Sequence, residues 1–385
     1  MKSELRIDIP EARLVDLRRR LEEARFAADF ANDDWRYGTN GAYLAELVAY
    51  WRDHFDWRAQ EAKMNEHANF LVELEGVPIH FIHERGVGPD PMPLVLTHGW
   101  PWTFWDFRDV IGPLSDPAAH GGDPGDAFHV VVPSLPGFGF SSPLEVPGVT
   151  FSRTADLWAE LMGEVLGYGR FAAQGGDWGA LVTAQLGHKY ADRVIAIHES
   201  LPGFPGFDYT ALSPDDYGPG EEDWLARMQA KSVTIASHMA VHSTDPQTLA
   251  YALNDSPVGL LAWIVERRRA WSDCRGDVES RFSRDDLLTL VSLYWLTETI
   301  GSSLRFYYEN AHVPWTPAHD RQPIVEVPTA FAVFPEDVLL LPRSIAERRT
   351  NLQRWTVMKS GGHFAPAEEP AALVDDLRSF LRPLR

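Results

Sequence analysis

The chain has 385 residues and carries 35 Lys and Arg against 55 Asp and Glu, a formal net charge of −20. Such an acidic balance excludes the basic surface that nucleic acid or an anionic membrane requires, so we expect neither as a partner. The single cysteine, Cys274, excludes an intrachain disulfide and a thiolate metal site.

The first 26 residues are charged throughout and lack the apolar segment of a signal peptide. The longest apolar runs fall far short of the roughly 18 residues that a membrane span needs. We therefore expect a cytoplasmic protein without a membrane anchor.

Residues 1–69 predict a helical segment. Leu14, Leu17 and Leu21 are spaced to form one apolar stripe, and a second helical pattern ends at Trp51. Residues 70–86 then form two alternating runs, broken at a Glu-Gly pair, which is typical of a β-hairpin.

Short apolar runs alternate with helical patterns from residue 93 onward. This alternation predicts an α/β fold with a mostly parallel sheet covered by helices on both faces. The predicted strands cover residues 93–98, 128–133, 171–176, 194–200, 329–334 and 354–360.

Residues 203–314 contain helical patterns but no strand pattern. More than a hundred residues are too many for a crossover between two strands, so we predict an inserted helical lid here. The predicted organisation is an N-terminal helical segment over 1–69, a core formed by 70–202 and 315–385, and the lid.

The sequence Gly-Gly-Asp-Trp-Gly at 175–179 lies between a predicted strand and a predicted helix. It has the pattern of a nucleophile elbow, GxSxG, with Asp177 in place of serine. The glycines permit the sharp turn that places the central side chain above the sheet. Asp177 is therefore the candidate nucleophile.

Two further candidates follow in the order nucleophile, acid, histidine that accompanies such an elbow. An acidic pair, Glu336 and Asp337, follows one strand, and His363 follows the last strand. Because ligands bind at the carboxyl ends of parallel strands, we expect these side chains to meet. Either acidic residue could orient the imidazole.

The sequence HGWP at 98–101 follows the strand 93–98. In the elbow architecture, one oxyanion donor is the backbone N–H after the nucleophile and another comes from a loop after an earlier strand. We therefore expect the backbone N–H groups of Trp100 and Trp178 to form an oxyanion hole.

An aspartate nucleophile implies a particular chemistry. A carboxylate with a pKa near 3.9 is ionised at neutral pH and attacks without a base. Attack of Asp177 on a saturated carbon would give an ester of the protein. A water activated by His363 would then hydrolyse that ester.

The chain resembles a microsomal-type epoxide hydrolase of the α/β-hydrolase superfamily over almost its whole length. The resemblance is carried by motifs at 55–58, 76–83, 98–101, 136–141, 175–179, 252–260, 305–310, 314–317, 334–337 and 361–370. It implies an α/β-hydrolase fold with a helical lid and an N-terminal extension.

The resemblance also implies residue roles: Asp177 as nucleophile, His363 as base, Asp337 as its carboxylate partner and Tyr307 as an acid in the lid. It favours Asp337 over Glu336. A phenol with a pKa near 10 can bind the epoxide oxygen and donate its proton as the C–O bond breaks.

One position departs from the family pattern. The family usually supplies a second lid tyrosine upstream of ALNDSPVGL, and the corresponding residue here is His238. An imidazole can donate one hydrogen bond as a neutral tautomer, or carry a full charge. We expect His238 to share the epoxide oxygen with Tyr307.

The expected substrates are a small-molecule epoxide and water, and the mechanism requires no cofactor and no metal. Trp263 and Trp102 are candidate pocket residues for an apolar or aromatic epoxide. The sequence leaves homo-oligomer formation open.

Two alternatives to epoxide hydrolysis remain: a haloalkane or haloacid dehalogenase with the same Asp/His pair, and a catalytically silent ligand-binding α/β-hydrolase. Ester hydrolysis would require serine at position 177.

Overall fold

A computed structural model describes residues 2–385, apart from the side chains at positions 233 and 234. Its centre is one nine-stranded sheet in the order β1-β2-β3-β5-β4-β6-β7-β8-β9. The strands are β1 (Ser3–Glu4), β2 (Asn69–Leu74), β3 (Val77–Glu84), β4 (Met92–Thr97), β5 (Phe128–Pro133), β6 (Phe171–Gly175), β7 (Val194–Glu199), β8 (Val325–Val333) and β9 (Thr350–Val357).

The first four strands in spatial order, β1, β2, β3 and β5, pair antiparallel with one another. From β5 through β4, β6, β7, β8 and β9 every pair is parallel. The predicted mostly parallel sheet is therefore confirmed.

Fifteen α-helices are present within the described residues. They are α1 (Glu11–Glu22), α2 (Gly41–Asp53), α3 (Trp57–Met64), α4 (Arg108–Ser115), α5 (Phe151–Glu160), α6 (Trp178–Lys189), α7 (Trp224–Ile235), α8 (Ser237–Thr244), α9 (Pro246–Asp255), α10 (Pro257–Trp271), α11 (Arg284–Leu296), α12 (Ile300–His312), α13 (Arg343–Arg349), α14 (Ala365–Glu368) and α15 (Pro370–Leu381). None of those in residues 2–385 is long and apolar enough to cross a membrane.

The hairpin of β2 and β3 follows directly from its turn residues. Glu75 and Gly76 have φ values of +49° and +77°. Positive φ at both central positions gives the turn whose twist matches that of antiparallel strands. This pairing places Leu74 opposite Val77 and adds an antiparallel extension to the parallel sheet.

Three features of the sheet differ from the sequence prediction. Strand β9 runs from Thr350 to Val357 and not over 354–360, because its first residues, Thr-Asn-Leu-Gln, are mostly polar and do not form an apolar run. The two-residue strand β1 lies within the segment predicted as helical, because two residues are too short for a recognisable pattern. Strand β8 begins at Val325, four residues earlier than predicted. Pro328 lacks an N–H for the ladder, and the register shifts between Val325 and Pro328, which disguises the first part of this strand.

Helices α7 to α12 all lie between β7 and β8 in the chain, in the segment predicted as the lid. The N-terminal segment holds this region at several points. The Trp51 indole N–H donates to the Ser292 hydroxyl at 3.1 Å inside the protein, and Arg20 pairs with Asp255 at 2.9 Å. The N-terminal segment thus helps to fix where the lid lies over the sheet.

Candidate active site

Four loops meet at the carboxyl edge of the parallel strands. Asp177 follows β6, Trp100 follows β4, Asp337 follows β8 and His363 follows β9. Since β4 and β6 are neighbours in the sheet, the Trp100 loop lies directly beside the elbow. The structure thus brings the loops that carry these four residues to one edge of the sheet.

The backbone at Asp177 is strained into a sharp turn. Its φ and ψ are +54° and −127°, and helix α6 begins at the next residue. Such a conformation is costly for a residue with a Cβ and is typical of functional sites. The strain directs the side chain out of the turn.

Two glycines allow the close approaches around Asp177. A Cβ on Gly179 would lie 2.0 Å from the Thr97 carbonyl oxygen. A Cβ on Gly99 would lie 2.2 Å from Asp177 Oδ1. Both distances are too short for any side chain, so α6 and the Trp100 loop reach their positions only with glycine at these sites.

The Asp177 carboxylate is held by three groups. Oδ1 accepts the Trp100 backbone N–H at 2.8 Å, and the Trp178 backbone N–H also bonds to the carboxylate. Oδ2 lies 3.3 Å from His363 Nε2. Burial alone would raise the pKa of Asp177, but these three groups outweigh it and hold the pKa below 3.8. Asp177 is therefore ionised at neutral pH.

His363 lies between two carboxylates. Its Nδ1 is 2.9 Å from Asp337 Oδ1, and both side chains are almost wholly buried. Burial alone would lower the pKa of His363, yet Asp337 and Asp177 together raise it to about 9. With Asp177 ionised, His363 is consequently an imidazolium at neutral pH.

The geometry of the structure distinguishes Glu336 from Asp337 as the partner of His363. Glu336 turns away from His363 and pairs with Lys231 at 2.9 Å and Arg227 at 3.2 Å. Asp337 is therefore the carboxylate in contact with the imidazole.

His98 holds the Trp100 loop in place through two hydrogen bonds of its ring. Its Nδ1 donates to the Gly99 carbonyl oxygen at 2.9 Å, and its Nε2 accepts the Leu135 N–H at 3.0 Å. Burial lowers the pKa of His98 to about 4, so the ring is neutral and both contacts are satisfied. His98 thus supports the backbone that carries the Trp100 donor.

Tyr307 on α12 faces the elbow from the lid. Its ring centre lies 4.8 Å from that of Trp178 and 5.9 Å from that of Trp100, and the side chain is buried. Burial, reinforced by the Asp177 carboxylate, raises the pKa of Tyr307 well above 10. The phenol therefore keeps its proton and can donate it.

His238 also lies at the site, stacked on Trp100 with ring centres 5.5 Å apart. Its Nδ1 is 3.0 Å from the Ile235 carbonyl oxygen, which can only accept, so Nδ1 carries a proton. Burial lowers the pKa of His238 to about 4. The neutral ring therefore presents a bare Nε2, and a donated bond from Nε2 requires the imidazolium. Of the two forms considered for His238, the imidazolium is thus the one that could donate from Nε2, and the sharing of the epoxide oxygen with Tyr307 stays a prediction.

The two predicted pocket tryptophans have different surroundings. The Trp102 ring lies 5.5 Å from the His363 ring and is fully buried. Trp263 lies farther out and donates its indole N–H to Nε2 of His242 at 3.3 Å. Trp102 therefore contacts the base directly, whereas Trp263 reaches the site through His242.

Two further residues are close neighbours of the site: Trp271, which the sequence offers as one of several lid tryptophans for an apolar pocket, and His242, to which sequence reasoning gave no role. The Trp271 ring lies 5.1 Å from that of His363, and the His242 ring lies 4.9 Å from that of Tyr307. His242 stands four residues after His238, on the same helix face, and that spacing was the available signal. In the described residues, 2–385, no group of three or more His, Cys, Asp or Glu could hold a metal ion.

The charge environment of His363 gives a direct prediction. Asp177→Asn removes one of the two charges that raise its pKa, so the imidazole pKa should fall from about 9 towards 6.5. A ¹⁵N NMR titration of the imidazole nitrogens measures this value. Glu336→Gln, which removes the adjacent carboxylate that does not touch His363, should leave the pKa unchanged; an equal fall in both variants contradicts the assignment.

Comparison with protein families identifies two matching regions. Residues 2–107 match the family described as "Epoxide hydrolase N terminus", and residues 92–229 match "alpha/beta hydrolase fold". A putative epoxide hydrolase of Stigmatella aurantiaca is 42% identical over 99% of this chain and 84% of the relative. Epoxide hydrolase 1 of Sus scrofa is 35% identical over 98% of this chain and 87% of the relative.

Solved structures give the same result. An epoxide hydrolase from Aspergillus niger superposes with a TM-score of 0.86 at 30% identity, covering 100% of this chain and 97% of that one. The juvenile hormone epoxide hydrolase from Bombyx mori superposes with a TM-score of 0.88 at 26% identity, covering 100% and 95%. The chain belongs to the epoxide hydrolase family within the α/β-hydrolase superfamily.

Proposed function

We propose that the protein converts an apolar or aromatic epoxide and water into a vicinal diol through a covalent ester on Asp177. The observation that carries this proposal is the position of the Asp177 carboxylate, with the Trp100 N–H at 2.8 Å, His363 at 3.3 Å and the Tyr307 phenol on the lid side. A carboxylate in this setting is a nucleophile with its base and its acid already in place.

In the first half-reaction, an oxygen of Asp177 attacks an epoxide carbon. The new C–O bond forms as the ring C–O bond breaks, and the departing oxygen takes the proton of Tyr307. The products of this step are an alkyl ester on Asp177, a hydroxyl group on the substrate and a tyrosinate.

In the second half-reaction, His363 accepts a proton from water, and the hydroxide adds to the carbonyl carbon of Asp177. The Trp100 and Trp178 backbone N–H groups stabilise the oxyanion that forms. Collapse breaks the ester, and the leaving alkoxide takes its proton from His363. The resulting carboxylic acid on Asp177 then loses its proton, which restores the phenol of Tyr307.

Esterification of Asp177 prepares His363 for this role. In the free protein, the Asp177 charge contributes to the raised pKa of His363. Once Asp177 is an ester that charge is gone, so the pKa of His363 falls and the imidazolium releases its Nε2 proton to solvent, after which the neutral imidazole can accept the water proton. His363 takes up a proton from solvent again when the Asp177 carboxylate is restored. Asp337 remains in contact with Nδ1 and stabilises the imidazolium as it forms.

The surroundings of Asp177 favour an apolar or aromatic substrate. Aromatic rings border the carboxylate and the base on several sides, chiefly Trp100, Trp178, Trp271 and Tyr307. Such rings offer apolar contact area to a hydrophobic epoxide.

A cytoplasmic location is part of this proposal, since the one cysteine is free, as is typical of reducing compartments.

The proposal predicts a trapped intermediate. In His363→Gln the ester should form but not hydrolyse, so incubation with styrene oxide should add the mass of one epoxide to the protein. Mass spectrometry of the intact protein and of the peptide containing residue 177 detects it. Asp177→Asn and the double variant should show no added mass.

Two results would contradict this proposal. No adduct in His363→Gln, with no diol from the wild type, would indicate a silent binding protein. Halide release from 1-chlorobutane or chloroacetate without diol formation from epoxides would indicate a dehalogenase.

The contributions of Tyr307 and His238 to the rate of ester formation should differ in their dependence on pH. Tyr307→Phe should slow ester formation by about 100-fold or more, because a positioned acid contributes roughly that factor. His238 donates only as an imidazolium, and the pKa of about 4 means that its contribution grows as the pH falls. His238→Phe should therefore cost little near about pH 8 and clearly more near about pH 5, measured as the single-turnover rate of ester formation. An equal loss at both values contradicts the imidazolium role.

A further inference from the structure

The last turn of α10 in the lid contacts the Trp100 loop, which is called the oxyanion loop from here on. Arg268 is almost wholly buried, with 2% of its side chain exposed. Its Nη2 donates to the Pro101 carbonyl oxygen at 3.2 Å and to Asp106 Oδ1 at 2.5 Å. Pro101 is the residue directly after Trp100, so Arg268 binds the Pro101–Trp102 peptide, two peptide units after the one that carries the Trp100 N–H.

Asp106 links the same guanidinium to the rest of the loop. Its other oxygen, Oδ2, accepts the Thr103 backbone N–H at 2.8 Å. From α11, the Tyr294 hydroxyl donates to the Trp102 carbonyl oxygen at 2.8 Å. Residues 101–106 are thus bound to the lid by three hydrogen bonds, two to backbone carbonyl oxygens and one to the Asp106 carboxylate, and Arg268 makes two of the three.

The same turn of α10 also contacts the loop of the base. The face of the Arg268 guanidinium lies 3.9 Å from the ring centre of Phe364, the residue after His363. Three residues further on, the Trp271 carbonyl oxygen accepts the His363 backbone N–H at 2.9 Å. One helical turn therefore sets the distance between the oxyanion donor and the base.

A buried ion pair is weak evidence of stabilisation, because the desolvation of both charges offsets their attraction. The ion pair does, however, hold its two partners in a fixed geometry. A loop that carries a catalytic N–H requires such a fixed geometry. We propose that Arg268 is a positioning residue that holds the Trp100 N–H in place for hydrolysis of the Asp177 ester. This inference rests on the proposed function.

The two half-reactions depend differently on the Trp100 N–H. During ester formation the carboxylate loses negative charge, so the bond from Trp100 weakens and a displaced donor costs little. During hydrolysis the carbonyl oxygen gains a full charge, and an oxyanion donor contributes most at that moment. Loss of Arg268 should therefore slow hydrolysis while leaving ester formation nearly unchanged.

The test compares Arg268→Met and Arg268→Lys with a matched control, Arg269→Met. Arg269 is the next residue on α10, and it likewise lies over an aromatic ring, Trp35, and donates to a backbone carbonyl, but it points away from the oxyanion loop. Quenched-flow mass spectrometry with styrene oxide measures formation and hydrolysis of the ester separately.

In Arg268→Met, hydrolysis should slow by about 10- to 100-fold, as expected for a donor displaced by a fraction of an ångström to 1 Å. The ester should then accumulate with His363 intact, and kcat and KM should fall together while kcat/KM stays near the wild-type value. Arg268→Lys should recover part of the hydrolysis rate, and Arg269→Met should behave as the wild type.

Equal loss in both half-reactions, or no loss in either, overturns the proposal, since a merely structural residue would not separate them. If Arg268→Met does not fold, Arg268→Lys and Asp106→Asn provide the same comparison of the two rates. Failure of the proposed function itself looks different: no variant, His363→Gln included, would form an ester at all.

Discussion

The position of His363 between two carboxylates is the constraint on which the site depends. Asp337 at 2.9 Å and Asp177 at 3.3 Å keep this buried imidazole charged in the free protein. The same charge keeps Asp177 ionised and ready to attack. In the proposed mechanism, formation of the Asp177 ester removes one negative charge, and the imidazole then changes from a counter-ion into a base.

This arrangement is assembled from distant parts of the chain by the parallel sheet. Adjacent β4 and β6 place the Trp100 loop against the elbow, while β8 and β9 present Asp337 and His363 at the same edge. The lid closes the remaining side with Tyr307 and His238. Through Arg268 and Trp271 it also contacts the backbone of the oxyanion loop and of the base, so the lid supports the machinery that it covers.

The fold and the sharp turn that carries Asp177 could be predicted because their signals are local. An apolar strand, a Gly-Gly-Asp-Trp-Gly turn and a helical pattern lie within about twenty consecutive residues around Asp177. The choice between Glu336 and Asp337 was different, because adjacent residues share one sequence context. Only the resemblance favoured Asp337, and the ion pairs of Glu336 with Lys231 and Arg227 show why it turns away.

The roles of the lid residues depend on contacts that sequence does not reveal. The proton on His238 is set by the Ile235 carbonyl oxygen, and this contact leaves Nε2 of the neutral ring without a proton to donate. Arg268 lies in a run of three arginines, 267–269, where the usual expectation is a solvated charge. Its burial against Phe364 and Asp106 is a property of the tertiary structure alone.

The origin of the oxygen in the diol tests the central claim most directly. A single turnover, with protein in excess over styrene oxide in H₂¹⁸O, is followed by mass analysis of the diol and of the peptide containing Asp177. The ester mechanism predicts an unlabelled diol and one ¹⁸O in the Asp177 carboxylate, because water attacks the protein carbonyl and not the substrate. A labelled diol with an unlabelled Asp177 would show direct attack of water on the epoxide and would contradict the account.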